Sequence, residues 1–174
     1  PGLLEEVHIS PSKVKGIVIT HGHDDHVNEN TLKISRKYDI PIYIHKKTFR
    51  VVSGGRSFPA AKRQIRHHTD QIFSISDFKI KPFRTRHYAG RRETVGVPFG
   101  FCISTKVNGK DVRIGYVTDT KVVSRKMVKA LSNCSCLVME ANHSDAMIKR
   151  NRSMGNEPHK GYDEHLSNVK TANA

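Results

Sequence analysis

Three observations predict an α/β fold in a single domain spanning residues 1–174. The apolar run Val14-Lys15-Gly16-Ile17-Val18-Ile19 reads as a buried strand that leads through a polar loop into a helix. Asn108-Gly109 joins two alternating runs and favours the type I′ turn that matches strand twist. Helical segments at 31–38 and 124–131 are interleaved with these strands.

Taken in order, residues 2–6 read as the tail of a helix, and 14–19 as the first strand. Residues 31–38 form a helix that ends because Pro41 keeps Ile40 out of helical geometry. Ile42-Tyr43-Ile44 is a short strand, and 46–52 is one or two helical turns stopped at Ser53-Gly54-Gly55. Gly54-Gly55-Arg56-Ser57 lacks the glycine spacing of a phosphate-binding loop. Lys62-Arg63-Gln64-Ile65-Arg66-His67-His68 is the densest basic patch, read either as a solvated loop or as a phosphate-tracking surface. Residues 71–75 and 78–85 alternate as paired strands around Ser76-Asp77, and 99–107 with 111–117 make the hairpin. A basic helix at 124–131 turns Met127, Val128 and Leu131 inward. Residues 136–139 read as a buried strand ending at Glu140, a charge that needs a partner there. A short helix at 145–150 and a basic loop at 151–161 follow.

Thirty Lys and Arg against sixteen Asp and Glu give a formal charge of +14, which favours a polyanionic partner bound with strong salt dependence. Nucleic acid is therefore expected as substrate in preference to a small neutral molecule. No apolar run is long enough to span a bilayer and the N-terminus is not a signal peptide, so a cytoplasmic protein without membrane contact is expected. Cys102, Cys134 and Cys136 follow no disulfide or zinc-knuckle spacing; Cys102 and Cys136 fall in strand-like runs as buried thiols.

Chemistry concentrates in Thr20-His21-Gly22-His23-Asp24-Asp25-His26. Neutral imidazole and carboxylate suit borderline divalent cations, and a short loop at a strand end can turn several such groups toward one point. The alternative is a solvated histidine-rich loop. The spacing of the run, together with its place between strand and helix, argues for a metal site.

This His-x-His-x-Asp-His run resembles the signature of the metallo-β-lactamase fold. With 32–43, Thr118-Asp119-Thr120, Glu140-Ala141-Asn142-His143 and His165-Leu166-Ser167-Asn168, the chain looks like the YycJ/WalJ-type branch, described as DNA exonucleases and related to tRNA 3′-processing endonucleases. The resemblance runs over nearly the whole chain. It implies an αββα sandwich, incomplete here at both termini: the chain starts at Pro1 without the family's first strands and stops at Ala174 before its last metal-ligand strand. It also implies two divalent ions, with zinc favoured by the imidazoles and manganese left open by the carboxylates. His21 and His23 would hold the first ion with His87 as third ligand; Asp25 and His26 would hold the second. Asp119 would bridge the two, its alternative role being to cap the turn after its strand. Tyr88 stands where the family has an aspartate after the histidine. His165 is expected as general acid, or else as a ligand of the second ion, with His143 a weaker rival for the acid role.

The implied reaction is phosphodiester hydrolysis by a two-metal-activated hydroxide that Asp25 aligns. His165 would protonate the leaving oxygen, Glu140 would orient a ligand or the catalytic histidine, and Arg84, Arg86, Arg91, Arg92 and the 62–68 patch would grip phosphates. Two alternatives remain: a hydrolase of a small phosphodiester, thioester or lactam, and a non-catalytic basic nucleic-acid-binding domain.

Overall fold

The computed structural model describes residues 4, 6–55, 63–87, 95–158 and 161–174. The tail of residues 2–6, Arg56 and Ser57, Lys62, Tyr88, Arg91 and Arg92 therefore lie wholly or partly outside the described residues. Two sheets face each other. In the first, β1 (Ile17–Val18), β2 (Ile42–His45) and β3 (Ile65–His68) run parallel in that order. The second orders β4 (Phe73–Ile75), β5 (Phe78–Arg84), β6 (Phe99–Val107), β7 (Lys110–Val117) and β8 (Cys136–Met139); its pairings are antiparallel except β7–β8.

The alternation along each strand decides the layering. Tyr43 and Val18 point to the inter-sheet layer, where they meet Phe73, Ile75, Ile80, Phe99, Phe101 and Ile103 of the second sheet. Ile42 and Ile44 point the other way, onto α1 (Glu29–Tyr38) and α2 (Lys46–Gly55), burying Leu32 and Val52 with Phe49 packed alongside. On the far side of the second sheet, Phe83 and Val117 pack on Met127 and Ala130 of α3 (Arg125–Leu131). Helix, sheet, sheet, helix is the expected αββα sandwich. The short α4 (Asp145–Ser153) and α5 (Asn168–Ala172) lie C-terminal to β8. No helix among the described residues is long and apolar enough to cross a membrane.

Local signals place the elements. Asn28 caps α1 by accepting from the amides of Asn30 and Thr31, and Asp39 ends it in the left-handed conformation at φ 51°. Asn108 (φ 50°) and Gly109 (φ 76°) make the primed turn of the β6–β7 hairpin.

Three expectations need correction. The basic stretch at 62–68 is not a loop: residues 65–68 pair with β2, and His68 is buried. The strand at 136–139 forms but is not buried, with Leu137 49% and Val138 44% exposed and Cys136 exposed too. β8 is the edge strand of the five-stranded sheet, and Met139 at its end is the residue that packs against the α3 core. On α3, Val128 is 50% exposed, because Met127 and Ala130 carry the inward face.

Candidate metal centre

The run at 20–26 is pinned at both ends by its own sequence. Ile19 (3% exposed) and Val27 (fully buried) anchor it in the first helix–sheet core. Between them the Gly22 amide donates to the Val95 carbonyl, and the Phe99 amide donates to the Thr20 carbonyl, stitching the loop to the second sheet. The amides of His26 and Val27 both donate to the His23 carbonyl, closing the turn. Asn28 donates from Nδ2 to the Asp24 carbonyl, so the helix cap and the histidine loop are one unit.

Two loop-end segments of the second sheet complete the centre. His87 follows β5; Asp119 follows β7 in a left-handed conformation at φ 54°. That conformation costs a non-glycine residue on the order of 1 kcal/mol, which its surroundings must offset. His165 arrives on the segment before α5.

The ligand atoms converge in three overlapping groups: His21, His23 and His87; His21, His26 and Asp119; and His87, Asp119 and His165. In the first group His21 Nε2 and His87 Nε2 lie 3.0 and 3.1 Å from His23 Nδ1. Tetrahedral zinc with roughly 2.0–2.1 Å bonds spaces its nitrogens by about 3.3 Å, so small side-chain adjustments admit an ion. His21 and His87 are each 1% exposed. Burial, then the neighbouring His26, holds the His21 pKa down to about 3, and burial likewise lowers that of His87. Both rings are therefore unprotonated at neutral pH, the state a metal ligand needs. Thr20 Oγ1 lies 3.0 Å from His21 Nδ1. His87 Nδ1 donates to the Glu164 carbonyl at 3.4 Å, which leaves Nε2 turned to the site. A backbone carbonyl thus supplies the orienting contact that Tyr88 put in doubt.

The other half differs in charge. His26 Nε2 lies 3.1 Å from Asp119 Oδ2. Burial opposes protonation of His26, but the hydrogen bond and charge of Asp119 prevail and raise its pKa. Burial also opposes ionisation of Asp119, yet His26 and His21 hold its carboxyl well below the usual range. His165 Nδ1 donates to Glu140 Oε2 at 2.8 Å, and this bond, against some burial, raises the His165 pKa. Glu140 also accepts from the amides of Thr120 (2.6 Å) and Leu166 (3.2 Å), which fixes both segments that deliver Asp119 and His165. Asp119 Oδ1 lies 3.6 Å from His165 Nδ1, so one carboxylate addresses both sides of the centre.

Asp25 is placed apart from the converging groups. Its side chain is 79% exposed and lies 3.6 Å from His26 Nε2. His143 packs on the Tyr162 ring and sits 3.6 Å from Asp145, outside the three groups. Arg84 is paired within the chain: Asp70, 14 residues away in sequence, takes its Nε and Nη2 at 2.9 and 2.7 Å. Arg66 turns back onto the carbonyls of Arg63 and Ile65. Arg86 is exposed beside His87. A cleft of about 340 Å³ opens next to the centre between the sheets, lined by Val18, Thr20, Asp25, His26, Phe101, Ile103 and Tyr116.

The fit to an ion is chemical as well as geometric: imidazole nitrogens and one shared carboxylate are a donor set for zinc or a similar cation. Residues 3–173 match the Beta-lactamase superfamily domain. Exodeoxyribonuclease YycJ of Bacillus anthracis is 23% identical over 150 residues, covering 86% of this chain and 53% of that protein. The chain thus spans about half the length of the curated relatives it matches most extensively. Zinc-bound PqqB from Methylobacterium extorquens superposes with a TM-score of 0.65 at 17% identity, over 87% of this chain and 54% of that one. A diphosphatase from the PhnP family superposes with a TM-score of 0.64 at 18% identity, over 99% of this chain and 58% of that one.

Proposed function

The chain belongs to the beta-lactamase superfamily, and from that membership we propose that it is a metal-dependent phosphodiesterase whose substrate is DNA. The observation that carries the reading is Asp119, common to the His21–His26 and His87–His165 groups, as a carboxylate shared by two cations must be. The exodeoxyribonuclease name of the YycJ relative and the charge of +14 support nucleic acid as the substrate class.

His21, His23 and His87 would hold one divalent ion and His26 the second, with Asp25 swinging from the rim to join it and Asp119 shared between the two. When bound, the ions supply Lewis acidity that brings the pKa of water toward neutrality and offsets charge on phosphoryl oxygens. Zinc is the expected ion. Asp25 takes up the proton of the attacking water and aligns it. Glu140 accepts from His165 Nδ1 and raises its pKa, which favours the charged ring, and His165 gives the Nε2 proton to the departing oxygen. Arg86 steadies the phosphate from beside His87.

One observation favours a small phosphodiester instead: Arg84 and Arg66, two cations expected on the strand-binding surface, are engaged within the chain. A turnover assay separates the readings. The zinc-loaded chain should degrade single-stranded DNA, with a rate that falls steeply between about 50 and 200 mM salt, because salt competes with the cationic contacts to its phosphates. Turnover confined to a chromogenic small phosphodiester, insensitive to salt, would overturn DNA as the substrate. DNA binding without cleavage, unchanged by chelator or His21→Ala, would leave only a binding domain.

A further inference from the structure

Away from the metal centre, the outer face of the second sheet brings two thiols together. Cys102 on β6 lies opposite Gly115 on β7, and Cys134, on the turn between α3 and β8, reaches over that glycine to place its Sγ 3.9 Å from Cys102 Sγ. A Cβ on Gly115 would stand 2.5 Å from Leu131 Cδ2, 2.8 Å from Leu137 Cδ1 and 3.4 Å from Cys134 Sγ, so the bare backbone there makes the approach possible. Arg113 points its Nη2 at Cys102 Sγ from 3.3 Å, a cation placed to stabilise thiolate. Cys102 is 3% exposed but lines an open cavity of about 710 Å³ with Lys79, Lys81 and Arg113, so a small polar oxidant has a route to its sulfur.

We propose that Cys102 and Cys134 are a redox-modification site, closed to an intramolecular disulfide by hydrogen peroxide. The Cys102 thiolate attacks one peroxide oxygen; the O–O bond breaks, hydroxide leaves and takes up a proton, and Cys102 becomes a sulfenic acid, oxidised by two electrons. Cys134 sulfur then attacks Cys102 sulfur, the S–O bond breaks, and the hydroxide departs as water with the Cys134 proton. The sum is two thiols and one peroxide giving one disulfide and two waters.

The division of roles follows from the surroundings. Cys102 has the guanidinium and the cavity. Burial, then proximity to Cys102, raises the Cys134 pKa, which keeps its proton until the second step. Bond formation needs the sulfurs to close to about 2 Å, and the turn that carries Cys134 has Ser132 and Asn133, the two residues before it, exposed to solvent. Cys136 is excluded by alternation: it pairs with Ile114, the neighbour of Gly115, and so faces the opposite side of the sheet.

The test treats the whole chain with hydrogen peroxide, removes the excess with catalase, alkylates with N-ethylmaleimide under denaturing conditions and maps peptides by mass. One alkylated thiol, Cys136, and a dithiothreitol-reversible peptide joining Cys102 to Cys134 are expected. Cys134→Ser should halt at a Cys102 sulfenic acid that dimedone traps, Cys136→Ser should change nothing, and Arg113→Met should slow closure roughly tenfold. A link through Cys136, a link between chains, or three alkylated thiols after a treatment that oxidises a free dithiol would each overturn the proposal. Because the pairing is read on the unsubstituted chain, a variant that fails to fold does not blunt the result.

Discussion

The two halves of the centre solve the same coordination problem with opposite electrostatics. His21 and His87 are buried and uncharged at neutral pH, so the first half can receive a cation without first losing an imidazolium proton. In the second half, His26 and His165 have raised pKa values against Asp119 and Glu140, so protons there occupy the place of positive charge. Burial without a carboxylate partner makes a neutral cage; burial with one makes an ion pair. The pairing decides which half competes with protons for its metal.

The strongest way to break this division is to remove what the halves share. Asp119→Asn should lower hydrolysis by more than about 100-fold, beyond the range seen for supporting residues, and leave fewer than two zinc equivalents in elemental analysis. Two retained equivalents would make the halves independent of Asp119. Next comes Glu140→Gln, which keeps a hydrogen-bonding shape but not the charge beside His165. A loss of about 10–100-fold is expected. The pH–rate profile should lose its alkaline limb at lower pH, because the His165 acid then gives up its proton sooner. An unshifted limb removes His165 as the acid.

A third measurement sharpens the contrast through stability of the metal-free chain. His21 and His87 have folded pKa values below the ordinary 6.5, so the unfolded chain takes up their protons first and stability is lost as pH falls past 6.5, for His21 down to about 3. Buried His45 and His68 act in the same direction. His26 and His165, raised above 6.5, contribute stability that is complete below 6.5 and lost as pH rises through their folded values. In urea titrations at pH 6.5 and 5.5, His21→Gln should flatten the acid loss by about 1 kcal/mol, the value of one pH unit for one displaced proton, while His26→Gln should leave that loss nearly unchanged and instead remove the decline above pH 6.5. Equal slopes in the two variants would erase the distinction. The smallest effect lies outside both halves. Arg84→Ala removes a half-exposed pair with Asp70 and should cost about 0–1 kcal/mol with no change in the salt dependence of DNA binding, whereas Arg86→Ala should lower that slope by about one.

Much of the first half was legible in the chain itself. The run from His21 to His26 announces a ligand loop because strand, histidines and helix cap are consecutive, and Asn108-Gly109 fixes its hairpin by backbone geometry alone. His87 and Asp119 required the family resemblance, since a lone histidine and a lone aspartate at strand ends carry no local signal. What stayed hidden is long-range. The 65–68 strand pairs in parallel with residues more than 20 positions away, and its basic, histidine-rich sequence has no alternation to give it away. Arg84 looked free because Asp70 is distant in sequence, and 136–139 looked buried because an apolar run does not say whether its strand lies inside a sheet or at its edge. Glu140 is the better case: a charge closing an apolar strand demanded partners, and it has them in Thr120, His165 and Leu166.

The donors are drawn from both sides of the sandwich, His21, His23 and His26 from the loop after β1, and His87 and Asp119 from the ends of β5 and β7. An ion seated among them is a clasp across the seam between the sheets, gripping one end of the inter-sheet layer while the helix–sheet cores stay closed without it. Chelation should therefore speed hydrogen exchange first at the amides of Gly22 and Phe99, whose bonds cross that seam, and leave the β6–β7 ladder protected until global unfolding.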